Sequence, residues 1–492
     1  MIKPSLWMQR FEREAQTGLG RREQLCAGLR QAMRAGELRL ADRLPASRVL
    51  AQDLGLSRVT VEAAYTQLEA EGYLRRNVGK GSFVAFNGFT PRSQGEKDSP
   101  GEKHSKQRAA LAPASLSKRG QRIHAGGGCN DPLLPLPFAA GSPDLQAFPL
   151  QLWRQLQARR LSGPLGHQLL GYGDPQGREE LREAIAGYLR QSRGLRCSAE
   201  QVLVLTSSQQ ALQLLAGLLL DEGDRVWIEE PGYRGAATAF AAAGALLQPV
   251  PVDQEGMRPP NEGPSPKLIY LTPSHQYPSG VALSLQRRLQ LLDLAKREAC
   301  WLIEDDYDSE FHYDGRPMPA LQGLQSEQEP ERVLYLGTFS KTLFPSLRLA
   351  YLVVPRELTA PLSLARSVQD GHSAQLAQAV TADFISRGHF AAHLRLMRQL
   401  YRQRRDLLLQ ELRAKVGTWL QPQPSAGGLQ IAALLPPGEE LNLTQRAARL
   451  GLLTPGLSGL YHGPLKLDGW LLGFAALTPA QIQAAVHQLA KI

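Results

Sequence analysis

Long apolar runs are missing from this chain of 492 residues, and no uninterrupted stretch approaches the ~20 residues of a membrane-spanning helix. The opening residues, Met1-Ile2-Lys3-Pro4-Ser5-Leu6-Trp7, lack the apolar centre of a secretion signal. Cysteine is scarce as well. Cys26, Cys129, Cys197 and Cys300 form no CxxC pair and have no clustered histidines, which excludes a zinc module and a disulfide framework. A GxxxxGK[ST] phosphate loop is absent, and no internal repeat is visible. These absences predict a cytoplasmic protein with no membrane and no metal, and the length predicts at least two domains.

Net charge is also missing from most of the chain. The overall balance is +10, and residues 1–124 alone hold 22 Lys and Arg against 12 Asp and Glu. The remaining three quarters are neutral, so a polyanionic partner is expected for the N-terminal quarter; a solvated basic tail would give the same sum. Apolar residues Leu25, Leu29, Ala32 and Met33 follow helical spacing within 22–34. Pro45 introduces a second helix over 47–54, which Gly55 breaks. Ser57 caps a third, with Val61, Ala64, Tyr65 and Leu68 on one face. A strand, turn and strand follow over 73–86. Two helices joined at Gly55 have the order of a helix-turn-helix, whose second helix enters the major groove. Arg58 would then meet a guanine edge, Ser57, Thr60 and Arg48 would take phosphates or bases, and Lys80 would sit at the tip of a wing. A helical subdomain with a surface hairpin is the plainer reading, which the charge localisation disfavours. Residues 87 to about 131, rich in Pro, Gly, Ser, Lys and Gln, predict a flexible linker.

Beyond the linker, short β-rich runs at 202–205, 225–229, 267–271, 301–304, 333–336 and 349–354 alternate with helical stretches such as 209–220 and 285–298. That alternation predicts an α/β domain with a mostly parallel sheet over about 165–360. A smaller α+β subdomain, with a strand at 470–475, is expected over 361–492. Chemistry-bearing residues fall at the ends of the strand-like runs. Lys341, following such a run and with Arg348 seven positions on, suits a Schiff base to an aldehyde cofactor that bears a phosphate, which is pyridoxal 5'-phosphate. Asp305 would face the pyridine nitrogen, and Tyr307 and His275 the ring oxygen. Tyr233 would stack on the ring. Ser207, Ser208 and Gln209, between a strand and a helix, would hold the phosphate with Thr338 and Arg348. Singly, each signal has a commonplace explanation: a solvated strand end, a surface acidic run, a turn. Magnesium at Asp305 and Asp306 is a rival, weakened by the missing phosphate loop.

Two stretches of text resemble known families. Residues 39–48 (RLADRLPASR), 50–65 (LAQDLGLSRVTVEAAY) and 72–83 (GYLRRNVGKGSF) resemble the winged helix-turn-helix of GntR-type regulators. The motifs at 172–177 (YGDPQG), 272–280 (TPSHQYPSG), 304–311 (EDDYDSEF) and 338–348 (TFSKTLFPSLR) resemble fold-type I aminotransferases. The combination is similar to the MocR subfamily, in which the two are linked. The resemblance implies a multi-domain chain: a winged helix-turn-helix (15–86), a flexible linker (87–131) and an α/β pyridoxal-phosphate-dependent transferase fold of type I (132–492). It also implies a homodimer with head-to-tail subunits, double-stranded operator DNA as partner, Lys341 as internal aldimine, and Tyr172 reaching into the partner's site.

One departure stands out. Aminotransferases usually hold the substrate carboxylate with an arginine in the final strand, and no arginine follows Arg449 here; Lys466 is the one cation before Lys491. Losing that bidentate fork disfavours ordinary transamination, although an arginine elsewhere, such as Arg234, could substitute. The leading expectation is a transcriptional regulator that senses pyridoxal phosphate, an amine or an amino acid. The alternatives are a genuine aminotransferase with an accessory DNA-binding domain, and a cofactor-free regulator that keeps only the fold.

Overall fold

The computed structural model of the chain describes residues 19–77 except Gly36, then 81–85, 116–128, and 136–492 except 316, 317, 327, 329 and 465. It falls into two compact units, Met1–Leu111 and Ala112–Ile492. Among the described residues, no helix is long and apolar enough to cross a membrane.

In the first unit, helices α1 (Arg21–Arg34), α2 (Ser47–Leu54) and α3 (Arg58–Ala70) precede strands β1 (Leu74–Asn77) and β2 (Gly81–Val84). The apolar positions at helical spacing do meet. Leu25, Leu29, Ala32 and Met33 of α1 bury against Leu50 of α2 and Val61, Ala64, Tyr65 and Leu68 of α3, with Leu74 and Val84 closing the core. Gly55 ends α2 at φ +62°, a left-handed conformation that glycine adopts without a Cβ penalty. The Ser57 hydroxyl accepts from Thr60 N–H at 3.1 Å, capping α3. Strands β1 and β2 pair antiparallel, with Leu74 opposite Val84 and Asn77 opposite Gly81. The expected wing tip, Lys80, lies outside the described residues.

The second unit contains α4 (Lys118–Ala125), α5 (Leu150–Ser162), α6 (Glu179–Ser192), β3 (Val202–Leu205), α7 (Ser208–Leu219), β4 (Arg225–Glu230), α8 (Arg234–Ala243), β5 (Leu246–Asp253), β6 (Gly256–Met257), β7 (Leu268–Leu271), α9 (Leu285–Arg297), β8 (Trp301–Asp306), β9 (Val333–Thr338) and β10 (Ala350–Val353). The sheet runs β3-β10-β9-β8-β7-β4-β5-β6. Strands β9, β8, β7, β4 and β5 are parallel, while β10 runs antiparallel between β3 and β9. Both faces are covered, so β3, β7, β8 and β9 are buried at every position and read as continuous rather than alternating runs.

Then come α10 (Arg356–Gln369), α11 (Gln375–Ser386) and α12 (His389–Lys415), a three-stranded antiparallel sheet of β11 (Gln421–Pro422), β12 (Gln430–Leu434) and β13 (Gly469–Gly473), and the helices α13 (Glu440–Arg449) and α14 (Pro479–Leu489). Leu408 and Leu412 of α12, Ile431 and Ala433 of β12, Leu472 of β13 and Val486 of α14 share a core.

Two features depart from expectation. Strand β5 carries Pro249 and Pro251, which hid it from a propensity reading. Its outer neighbour β6 is only two residues long, so β5 is effectively an edge strand, where proline is tolerated. Within the stretch 87–131, the described residues 116–128 hold a helix, α4, where composition predicts a linker. Ser117 caps α4 by accepting from Gly120 N–H at 3.1 Å. The helix then docks on α8: Arg234 Nη2 donates to Gly126 O at 3.0 Å, and Arg122 pairs with Glu222 at 2.7 Å. A Cβ on Gly126 would come within 2.4 Å of Thr238 Oγ1, so the glycine is what lets the two approach. Composition reported the small residues of this segment and was blind to the surface they fit.

Candidate functional site

On the first unit, the start of α3 presents exposed Ser57, Arg58 and Val59, and Arg48 is exposed on α2. Glu62, one turn on from Arg58, is held below the usual carboxylate range by its hydrogen bonds from Ser47 and Arg76. The Ser57 hydroxyl caps Thr60 and lies 2.8 Å from Thr60 Oγ1, so these two hydroxyls first serve the helix start. Sequence reading missed Val59. It is 78% exposed between Arg58 and Thr60, an apolar side chain in the first turn of the second helix of the pair.

On the second unit, strand register gathers the candidate residues. Leu205, Ala350 and Thr338 lie abreast in β3, β10 and β9. Because β10 runs the other way, the residues before it, with Arg348, emerge at the same edge as the turn after β3 with Ser207 and the turn after β9 with Lys341. Asp306 opposite Gly337, and Leu271 opposite Glu304, bring Tyr307 and the 272–280 loop to that edge. Ligands in open α/β sheets bind beyond the carboxyl ends of the strands.

Asp305 is buried at the end of β8. Its Oδ2 accepts from Tyr270 O–H at 2.7 Å, and its Oδ1 has no partner. Burial pushes the carboxyl up to about 7; the Tyr270 bond opposes this, and the neighbouring Asp306 and Asp308 add to it. Asp306 points away from the edge into a buried pair with Arg193 Nε at 2.8 Å, with Ser309 and Tyr335 also donating to it, and its carboxyl is lowered. The two acids of the run therefore do different work, which does not favour a shared metal.

The Tyr307 hydroxyl donates to His275 O at 3.0 Å and lies 3.0 Å from His275 Nδ1. His275 Nδ1 is also 3.2 Å from Asp308 Oδ2, and Nε2 is 3.0 Å from Ser425 Oγ. Burial raises the Tyr307 hydroxyl well above its ordinary value. Tyr233 precedes α8, packs edge-on against Tyr277 at 5.8 Å, and donates to Gln209 Oε1 at 3.4 Å. Gln209 donates in turn to Gly235 O at 2.9 Å, so the first turns of α7 and α8 are tied together. Ser207 caps α7 by accepting from Gln210 N–H at 3.1 Å, with Ser208 in the first turn. Thr338 is buried and accepts from Ser340 N–H at 3.1 Å. Arg348 is exposed at φ +52°.

Lys341 Nζ donates to Gly141 O at 2.8 Å. Gly141 adopts φ +70°, and a Cβ there would fall 2.9 Å from Nζ, so glycine leaves the amine its space. The chain does not bring Tyr172 to this group. Its ring is fully exposed, with an edge-on contact to His372 at 6.1 Å. Tyr270, Gly141 and Gln430 went unread in the sequence: they sit in apolar or glycine-rich text with no motif around them.

The donor set fits pyridoxal phosphate. A buried carboxylate oxygen without a partner calls for a cationic or N–H partner such as a protonated pyridine nitrogen. A lysine amine, a tyrosine hydroxyl, a helix start and an exposed arginine share its edge.

Residues 136–489 match the aminotransferase class I and II family, and residues 21–84 match the gntR family of bacterial regulatory proteins. The probable rhizopine catabolism regulatory protein MocR of Rhizobium meliloti is 40% identical over 485 residues, which is 97% of this chain and 94% of that protein. The HTH-type pyridoxine biosynthesis transcriptional regulator PdxR of Corynebacterium glutamicum is 31% identical over 92% of this chain and 91% of its own length. Among solved structures, the α-aminoadipate aminotransferase LysN of Thermus thermophilus matches with a TM-score of 0.67 and 28% identity, covering 76% of this chain and 94% of that one.

Proposed function

Because the chain belongs to the MocR subfamily of GntR-type transcriptional regulators, we propose that its aminotransferase-like unit holds pyridoxal phosphate and reports the presence of the cofactor or of a primary amine to the DNA-binding unit. The observation that carries this is the buried, unpartnered Oδ1 of Asp305 at the same sheet edge as Lys341. When bound, pyridoxal phosphate supplies an aldehyde that condenses reversibly with primary amines. Lys341 would hold that carbon. Asp305 would keep a proton on the ring nitrogen, with Tyr270 holding the carboxylate in place. Tyr307, its oxygen 3.0 Å from His275 Nδ1, would turn its proton from His275 O to the ring oxygen, and Tyr233 would cover the ring. Ser207, Ser208, Gln209, Thr338 and Arg348 would hold the phosphate, with the α7 start adding its N–H groups.

Were an effector amine to take the place of Lys341, the lysine Nζ would be free to donate to Gly141 O, the partner it has in this structure. Transmission is supported by α4. Its anchor Arg234 directly follows Tyr233, so a shift of the Tyr233 turn reaches the segment that leads to the DNA-binding unit. The effector acts only through its differential affinity for the two arrangements. The dimer implied by the subfamily would use the exposed ring of Tyr172 in the partner's site. Turnover as an aminotransferase is less favoured: β13 presents buried Gly469, Trp470, Leu471, Leu472 and Gly473, with no cation for a substrate carboxylate.

The test is a titration of operator DNA with wild type and Lys341→Ala, each with and without pyridoxal phosphate and with a panel of amines. Pyridoxal phosphate or an amine is expected to change the DNA affinity of the wild type and leave Lys341→Ala unresponsive. Equal affinity in every condition refutes sensing.

A further inference from the structure

Gln430 opens β12 opposite Gly473 and is 3% exposed, yet its Oε1 has no hydrogen-bond partner. A buried carbonyl left unpaired is uncommon because its lost hydration is not repaid. Its position suggests what repays it. The point one Cβ out from Gly141 lies 2.9 Å from Lys341 Nζ and 3.6 Å from Gln430 Oε1. The carboxamide oxygen and the lysine amine thus border the same small space, together with the Gly141 carbonyl that accepts from Lys341.

An apolar cluster lies on the same β12–β13 sheet. Ala432, Leu457 and Leu471 form a buried cluster, against which Ala140, Tyr277 and Leu460 pack. Arg404 donates to Ala475 O and pairs with Asp144 at 2.8 Å, while its buried Nε has no hydrogen-bond partner. The polar groups placed at this space beside the amine, Gln430 Oε1 and Gly141 O, are both acceptors. A carboxylate on the aminated carbon would meet acceptors, whereas a hydroxyl would donate to one.

We propose that Gln430 is the specificity-determining residue of an effector subsite beside Lys341, selecting primary amines with a hydroxyl on the carbon next to the aminated one, over α-amino acids. The inference rests on the amine-sensing reading above. An amine replacing Lys341 would bring the substituents of its aminated carbon toward the space over Gly141 that Lys341 Nζ and Gln430 Oε1 border. There a hydroxyl completes the Gln430 carbonyl, and a methyl group leaves it unpaired.

The experiment uses the full chain loaded with pyridoxal phosphate and follows its visible absorbance band. The probes are 2-amino-1,3-propanediol, isopropylamine and L-alanine, which share one aminated carbon and differ in its substituents. Each half-saturation concentration is divided by that for free pyridoxal phosphate in the same buffer, which removes differences in amine basicity. Wild type is expected to favour the diol over isopropylamine by about 10-fold, the worth of one buried hydrogen bond. Gln430→Met, similar in volume, is expected to reduce the preference to less than about 2-fold. Gln430→Glu, which keeps an acceptor, is expected to retain it and to disfavour L-alanine further. Each comparison is made within one loaded protein, so a change in overall stability does not imitate the result. No preference in wild type, a preference that survives Gln430→Met, or L-alanine as the best probe overturns the subsite alone. No band change with any of the three amines overturns the amine-sensing reading and the subsite with it.

Discussion

Asp305→Asn in the cofactor-free protein isolates the cost of the most unusual carboxyl in the site. Burial lifts Asp305 from 3.8 to about 7, so its ionised form is disfavoured within the fold by about 4 kcal/mol at pH 8. A raised folded value means that the native state binds the proton more tightly than the unfolded chain. The stabilisation is therefore complete below the unfolded value near 4 and is lost as pH rises through about 7. Roughly 3 kcal/mol of that loss falls between pH 5 and pH 8.

Asparagine does not titrate. Its carbonyl can accept from Tyr270 as Oδ2 does, while its Nδ2 in the place of Oδ1 adds a buried donor costing about 1–3 kcal/mol. The variant is thus expected to be less stable than wild type at pH 5 and equal or more stable at pH 8, a swing of about 3 kcal/mol. Urea unfolding followed by tryptophan fluorescence at both pH values reads this swing. Glu310, also pushed up to about 7 by burial, titrates in both proteins and cancels in the difference; Glu229, raised by burial and in part by the Asp305 charge, loses that part in the variant, which adds to the swing in the same direction. Pyridoxal phosphate should then raise the midpoint of wild type more than that of the variant, because only the carboxylate pairs with a protonated ring nitrogen. A wild-type-to-variant difference that stays constant within about 1 kcal/mol across the pH range refutes the reasoning.

Arg193→Met should destabilise the second unit by about 3–5 kcal/mol in the same urea assay at pH 7, because Asp306 would keep its buried charge without its partner; a loss under about 1 kcal/mol would contradict that account of the pair. Arg58→Ala should lower operator affinity by about 10- to 100-fold at fixed salt with little effect on unfolding, read by fluorescence anisotropy. Unchanged affinity would remove Arg58 from the DNA face.

Much of the site was legible because its residues stand at the ends of runs whose apolar content already marked them as strands. Lys341, Asp305, Tyr307 and Ser207 could be named as candidates from that placement taken together with the motif resemblance, and the register of β3, β10, β9 and β8 brings them to one edge. Tyr270 could not be named, because its hydroxyl sits in the apolar run Leu268–Leu271 and acquires meaning only when β7 lies beside β8 and aims it at Asp305. Gln430 was silent for the same reason. Its unpaired oxygen is a property of what surrounds it. Helix α4 was misread as tether because polar and small residues suit a linker as well as they suit a helix that docks by close approach at Gly126.

By itself the sequence determined the order of elements, the helix-turn-helix with its basic excess, the alternation that makes a parallel sheet, and the absence of an arginine after Arg449. Those are local or one-dimensional properties: periodicity, capping, turn chemistry and charge count act over a few residues or over composition. Which oxygen of Asp305 is left without a partner, which acid is spent on Arg193, where α4 docks, and which groups border Lys341 were decided only by the tertiary structure. Hydrogen-bond satisfaction and desolvation depend on residues tens to hundreds of positions apart, and only folding brings them within reach.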